Sequence, residues 1–478
     1  MNFLLRALYV LLLFSFSYVA VQGQSLESSD EASFFEIEEN FDNSSFFDIA
    51  IEGDDENELE IESNYSINGS IRQDFTYGFA DPGTIFFSRK REGVEKIKTE
   101  MFLQAQVKPT DHIKVKLSGL ADYEWGSWKN NAYSLGDTQV NIELKDLFVD
   151  VIADSGLWLR AGKQIIARGE VDSIKATDII NPVDISIPGQ LEFKDIRMQV
   201  PAVLVSAPIK NATVEFVLTA DAGADKLGAP GSAFDLSLAQ VTYDLPPGVS
   251  LIPEESDPEK SWEAVTRVNY KLNGGDFSAL VGEVNWNQRS LRAVSGVCLD
   301  TCDNGVNYIM NYDYDRVKIF GISGNLAKND YLFKYEVALN DGRKFKTVDP
   351  MAAWSAHKES IFAVGAEYAG VSDIVLSAEI NSSNILNYSR NITASENSIG
   401  YLLQVRWSGF NELFSVYWAF NKLTGDDSSI TTLFLEYDLT DNVQLDGRII
   451  LYEAKSDTDF LHMFRNQDVA KMSVKYSF

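Results

Sequence analysis

The chain has 478 residues, 23% of them charged and 12% aromatic, with a net charge of −29 and a mean hydropathy of −0.13. That hydropathy excludes a bundle of membrane-spanning helices, and so negative a chain is a poor nucleic-acid ligand, which would need cations to displace counterions. A β-barrel stays open, because its strands offer only alternate residues to lipid and the average remains near neutral.

The chain opens with one early cation, Arg6, followed by an apolar run from Ala7 to about Val21 and then small residues. Val21 and Gly23 fit the −3 and −1 positions of a cleavage site, so residues 1–23 are predicted to be a secretory signal peptide in preference to a membrane anchor. No later run reaches the roughly 18 apolar residues of a spanning helix. The nearest, Tyr401–Phe420, is interrupted by Arg406 and Glu412. From Ser25 to Ile71 there are fifteen acidic residues and no Lys or Arg. Residues 24–65 are therefore expected to form a disordered periplasmic arm, read as a solvated linker or as a docking tail for a basic periplasmic partner.

From Ser66 onward the pattern has a period of two, which is that of strands. Val214, Phe216 and Leu218 oppose Thr213 and Glu215. Tyr401, Leu403, Val405 and Trp407 oppose Gln404 and Arg406. Leu433, Leu435, Tyr437 and Leu439 oppose Glu436 and Asp438, and Val443, Leu445, Ile449 and Leu451 oppose Gln444, Asp446 and Arg448. Short turns are expected at 108–111, 153–156, 207–211, 273–275, 327–330, 369–372, 409–412 and 440–442. Longer, more polar stretches alternate with them, at 80–94, 125–137, 168–192, 223–260, 288–312, 342–357, 383–396, 424–428 and 454–467. Eight turns and nine loops predict an all-β, transmembrane, antiparallel up-and-down β-barrel of about 18 strands (16–20) over residues 66–478, with short periplasmic turns and long extracellular loops. The 223–260 stretch is where that count is most exposed to error, since "FDLSLAQVTYDL" fits either two more strands or a structured loop. A two-sheet sandwich would also alternate, but would not need short and long connections to alternate over eight cycles.

Cys298 and Cys302, in "GVCLDTCDNG", are expected to pair in a small disulfide loop. The three histidines, His112, His357 and His462, are far apart in sequence, so no metal site is expected. There is no HExxH, GxSxG, P-loop or Rossmann glycine pattern. Ser355 precedes His357 by two residues without an orienting acid beside them. No enzyme and no cofactor are predicted. The chain finishes "KMSVKYSF", with Ala470, Met472, Val474, Tyr476 and Phe478 on one face and Lys471, Ser473, Lys475 and Ser477 on the other. This reads as the strand that closes the barrel, with Tyr476 and Phe478 as the assembly signal met by the barrel-assembly machinery.

The stretch 147–186 resembles a signature of Gram-negative outer-membrane barrels: a strand ending in Tyr/Phe-Val-Asp, a short turn, Leu-Arg-x-Gly-x-Gln, a Gly-Glu step and a closing Asn-Pro-x-Asp. The matching residues are Phe148, Val149, Asp150, Leu159, Arg160, Gly162, Gln164, Gly169, Glu170, Asn181, Pro182 and Asp184. Arg168 departs from it, standing where tryptophan is usual. The family so resembled is catalogued as a domain of unknown function, and its genes neighbour RND-type exporters. The resemblance implies a porin-like barrel in the outer membrane of a Gram-negative bacterium, surrounded by outer-membrane lipid. It also implies a periplasmic or inner-membrane exporter as a candidate partner, and no nucleic acid.

In the strand count, 168–192 is the third outer loop, following the fifth strand. In many porins that loop folds inward, which would set Arg168, Glu170, Asp172, Lys175, Asp178 and Asp184 at a channel constriction. The alternative is a loop packed on the rim, with Pro182 and Asp184 making a turn. The function expected is a channel for small solutes or lipid-like compounds, against a plugged structural barrel. Inward-facing Gln404, Arg406, Glu436, Asp438, Asp446 and Arg448 favour the channel.

Overall fold

A computed structural model describes residues 64–78, 93–129, 132–189, 196–220, 223–228, 234, 249–255, 261–297, 306–349, 352–425, 427–456, 459–465 and 467–478. The expected signal peptide, nearly all of the expected acidic arm, and Cys298 and Cys302, expected to pair, lie outside these residues. The strands are β1 (Tyr65–Gly78), β2 (Gly93–Thr110), β3 (Ile113–Lys129), β4 (Ala132–Ile152), β5 (Trp158–Gln164), β6 (Val200–Ile209) and β7 (Ala212–Ala220). There follow β8 (Val249–Glu255), β9 (Trp262–Leu272), β10 (Gly275–Asn285), β11 (Ser290–Val297), β12 (Val306–Asp313), β13 (Arg316–Lys328) and β14 (Tyr331–Phe345). The last are β15 (Ser355–Val371), β16 (Ile374–Leu386), β17 (Asn397–Gly409), β18 (Phe414–Lys422), β19 (Ser429–Thr440), β20 (Val443–Glu453) and β21 (Val469–Ser477).

Eighteen of these strands form one antiparallel sheet, and β21 pairs back onto β1 from Ser70↔Ser477 to Gly78↔Val469. The sheet is thus a closed transmembrane barrel, without the unpaired edges that lipid penalises at an open sheet's ends. The three other strands form a separate small sheet, with β12 antiparallel to β11 and parallel to β8. Because β7 pairs directly with β9, the 223–260 stretch adds no hairpin to the wall; β8 lies in the loop sheet, and "FDLSLAQVTYDL" beyond Phe234 lies outside the described residues.

All eight expected short turns are the connections at one end of the barrel. Several use the left-handed backbone that tight turns require, at Lys210, Gly274, Asn329 and Asp373. One expectation fails at the opposite end. Residues 125–137 are not a long loop: β3 and β4 run on through most of them and leave only residues 130–131 between. The polar residues there mislead because both strands extend past the height of their neighbours, where an outward side chain no longer has to be apolar.

The period of two is realised as two environments. On β14, Glu336, Ala338 and Asn340 are buried inside the barrel, whereas Phe333, Val337 and Leu339 are exposed outside. On β21 the pattern repeats, with Ser473 inside and Met472, Val474 and Tyr476 outside. A continuous belt of exposed large apolar residues is what a lipid solvent selects and water does not. Aromatic contacts cluster at the short-turn end. Tyr331 packs 4.8 Å from Tyr368, Trp407 lies 5.9 Å from Phe414, and Tyr476 stacks 6.2 Å from Phe478. Such a girdle marks a membrane–water boundary.

Candidate functional site

Residues 165–189, which follow β5, leave the wall at Gln164 and enter the barrel. Strands β5 and β16 are eight places apart in the ring of eighteen, so a segment touching both crosses the lumen. The loop does so. Glu336 on β14 accepts hydrogen bonds from the backbone N–H of Glu170 (2.5 Å), Val171 (2.9 Å) and Thr177 (2.9 Å) and from the Thr177 hydroxyl (2.8 Å). Glu379 on β16 accepts from the N–H of Asp172 (3.0 Å) and Ser173 (2.8 Å). Two wall carboxylates thus satisfy a run of loop amides that would otherwise be buried without partners. The loop then returns past β19 and β20. The Thr432 hydroxyl donates to Gly189 O at 2.9 Å and the Tyr452 hydroxyl to Pro188 O at 2.6 Å.

Apolar packing holds the first arm. Ile166, Ala176, Ile179 and Ile180 bury against Val200, Leu204, Val217, Val265, Leu280 and Val317, which point inward from β6, β7, β9, β10 and β13. Inward apolar residues break the polar-lumen pattern, and they do so where the loop covers them. A second cluster joins Ile185 and Ile187 to Ile430, Ile450 and Tyr452.

The motif residues of the sequence build this geometry. Gly162 has φ +136°, and a Cβ there would lie 2.1 Å from Leu147 O, so only glycine fits between β4 and β5. The buried Gln164 amide donates to Ala202 O at 3.0 Å. Asn181, fully buried, accepts from Ile166 N at 2.8 Å and donates to Met198 O at 2.6 Å, pinning the two ends of the loop together. Pro182 O accepts from Met198 N at 2.7 Å. A Cβ on Gly169 would be 3.0 Å from that of Asp178 and 3.2 Å from the Glu336 carboxylate. Asp150 and Arg160 form a buried two-point ion pair at 2.7 and 3.0 Å.

The charged residues foreseen at a constriction are all in this loop, and most are paired. Arg168 meets Glu215 of β7 at 2.9 Å. Glu170 accepts from Asn325 of β13 at 3.1 Å and lies 3.8 Å from Arg267 of β9. Asp178 meets Arg197 at 2.5 Å, Lys175 donates to Asn181 O at 2.8 Å, and Asp184 meets Lys226 at 2.9 Å. Asp172 is fixed by its backbone on Glu379. Burial pushes the Glu170 carboxyl above its ordinary value, and the Asn325 bond opposes this only in part. Burial also acts to raise Asp184, but Lys226 and the bonds from Ser186 together outweigh it and hold that carboxyl low.

On the opposite wall, sequence reasoning found the inward Asp446 and Arg448 but missed their partners at the seam. Arg72 on β1 bridges Asp74 at 2.8 Å and Asp446 of β20 at 2.9 Å, and Lys471 of β21 meets Asp74 at 2.8 Å. These pairs stitch the seam where the barrel closes. Their signal was present in the alternation of β1 and β21, but knowing that the two strands adjoin requires the closed ring. Ser355 and His357 do approach, with Oγ and Nε2 3.1 Å apart. Among the described residues no carboxylate is hydrogen-bonded to that imidazole.

A family model fits residues 45–478, the whole length over which the loop, its motif and the barrel are built. The chain belongs to the family described as "Protein of unknown function (DUF1302)". No curated protein matches this DUF1302 chain in sequence. Among solved structures, OccAB2 of Acinetobacter baumannii is similar over 87% of this chain and 98% of its own, at 10% identity and a TM-score of 0.50. OccAB3 of the same organism covers 87% and 99% at 10% identity and a TM-score of 0.49. OccK8 (OprE) of Pseudomonas aeruginosa covers 87% and 98% at 10% identity and a TM-score of 0.48. At such identities the likeness is one of fold, and the lumen of this DUF1302 barrel has to be read from its own residues.

Proposed function

We propose that the chain is an outer-membrane channel for small solutes, narrowed by the inward loop. The observation that carries this reading is the partition of the lumen. The loop covers the apolar sector of the wall from β6 to β13. The inward face from β19 through β21 to β2 carries Glu436, Asp446, Arg448, Lys471, Arg72, Asp74, Lys98 and Glu100. A barrel of this size cannot fill its interior with wall side chains alone. Charged groups of both signs beside water are suited to hydrated solutes, and their fields are strongest where the passage is narrowest. The loop's anchorage on Glu336 and Glu379 supports a fixed constriction. A role as the outlet of an RND-type exporter is a finer form of the same reading, resting on the family resemblance alone. The test is single-channel conductance of the purified protein in planar bilayers. Discrete, ohmic openings support the channel; a folded barrel that never conducts would instead make the loop a plug and the protein a structural barrel.

A further inference from the structure

The wall is not of even height, and its lowest point adjoins its highest. Strand β5 has 7 residues, the fewest of the barrel strands, whereas β4 beside it has 21. A strand needs about 9–11 residues to cross the hydrocarbon layer. β4 pairs with β5 only from Leu147 to Ile152. Among the described residues, no strand pairs with Ala132–Asp146 on that side. The exposures agree. Outward residues paired on both sides, such as Val337, Phe362 and Val281, are 39–58% exposed, whereas Val140 and Ile142 reach 69% and 78%, as they would with a neighbouring strand missing, and Leu144, beside Lys163, is 41% exposed.

Other features mark the same place. A register shift between Leu117 and Gly119 of β3 bulges β4 just above its last pairing with β5, and Ser118 bonds both the side chain and the N–H of Asp146 there. Bulges bend strands and end pairing. Lys163, facing outward near the top of β5, donates to Leu144 O at 2.5 Å. A side chain thus meets a carbonyl that a strand amide would otherwise take. On the lumen side, Lys226 is half exposed and feels both Asp184 and, from β4, Glu143.

An unpaired strand edge is not tolerated against hydrocarbon, and water or a ligand in the gap would satisfy it. We infer that the gap between β4 and β5 is a lateral portal from the lumen to the outer half of the membrane, and that it passes amphipathic molecules with an anionic head and a hydrocarbon tail. The head would move along Lys226 and Lys163 while the tail lies against Val140, Ile142 and Leu144. A charged head never has to enter lipid on this route, because the slot is polar inside and apolar outside. The inference rests on the channel reading and names a substrate class for it.

The probe is a diazirine-bearing fatty carboxylate, photolysed with the full chain in proteoliposomes and mapped by mass spectrometry. Labelling is expected at residues 140–144 and at Lys163 and Ile165, well above that at Val337 and Leu339 on the far side. The Lys163→Gln, Lys226→Gln double variant should lower it about fivefold, a loss typical of an exposed ion pair. An alcohol with the same chain should label as weakly in wild type as the carboxylate does in that variant. A second measurement avoids dependence on folding of a mutant. With Cys298 and Cys302 replaced by serine, Ile142→Cys and Ile165→Cys are bridged by a short bis-maleimide after assembly. Bridging should abolish the local labelling while ion conductance persists. Labelling spread evenly around the belt, or unaffected by the bridge, overturns the portal, as does protection of the β4 edge by a co-purifying polypeptide strand. Loss of conductance in every sample, wild type included, would overturn the channel reading separately.

Discussion

Phe478 and Gly69 exchange two backbone hydrogen bonds, Phe478 N to Gly69 O at 2.9 Å and Gly69 N to Phe478 O at 2.8 Å. They close the barrel at its seam. A Cβ on Gly69 would sit 2.7 Å from Phe102 O, 2.8 Å from Leu103 Cδ2 and 3.0 Å from Phe478 Cζ. Gly69→Val must therefore push the β2 backbone or expel the Phe478 ring. Overpacking of this kind costs about 1–3 kcal/mol. The folded yield, read as heat-modifiable gel mobility, is expected to fall clearly for Gly69→Val and for Phe478→Asp. Phe478→Tyr, which keeps the ring and the backbone bonds, should assemble normally. Equal yields for all three would mean the seam closes without this contact.

The Glu336 carboxylate collects four loop hydrogen bonds. Glu336→Leu leaves those donors buried without an acceptor, at about 1–3 kcal/mol each until the loop moves away. The expected outcome is a barrel that still assembles, with larger and noisier single-channel conductance because its loop has detached. Glu336→Gln keeps one acceptor oxygen and should lie between the two. An unchanged conductance in Glu336→Leu would show that the loop does not limit the passage.

Charge reversal locates the constriction. Glu170→Lys with Asp172→Lys should move the permeability ratio toward anions in reversal-potential measurements across a salt gradient. Asp154 at a turn and Asp427 in an outer loop have side chains 94% and 60% exposed. Their replacement by lysine should do little, since salt screens exposed charges within about 8–10 Å. Equal shifts from the two pairs would place the loop charges outside the ion path.

Acidification should act through Glu170. Its proton is held more tightly in the folded protein than in the unfolded chain, because burial raises the carboxyl's pKa. That contribution to stability is fully present below the ordinary glutamate value and is lost as pH rises through the raised one. As pH falls from neutral, Glu170 is thus neutralised earlier than an exposed glutamate. Cation preference should decline over that interval in wild type and stay flat over it in Glu170→Gln. Asp184, held low by Lys226 and Ser186, behaves oppositely. Its contribution is present above the ordinary aspartate value and is lost only as pH falls through the depressed one. A Glu170→Gln profile identical to wild type would remove Glu170 as the titrating group.

The alternation of Tyr401–Trp407 and Leu433–Leu439, with eight turn signals between longer loops, was enough to give the barrel and its strand count. A period of two on a wall with two solvents leaves one solution for each strand. The motif from Gly162 to Pro182 pointed to the right loop, because a glycine with φ +136° and a fully buried asparagine are local requirements written as residue types. Other features depended on which strands become neighbours. Glu336 and Glu379 look in the sequence like any other lumen carboxylates, and only the fold sets them opposite the amides of residues 170–177. Arg72 finds Asp446, and Gly69 finds Phe478, across about 400 residues of chain because the ring closes there. The gap beside β4 is likewise not written in β4 itself, whose outward apolar residues slip phase once, between Leu144 and Leu147, but otherwise alternate past its last pairing with β5. It exists because the adjoining strand turns inward after 7 residues, and pairing is a property of two strands that neither sequence segment contains alone.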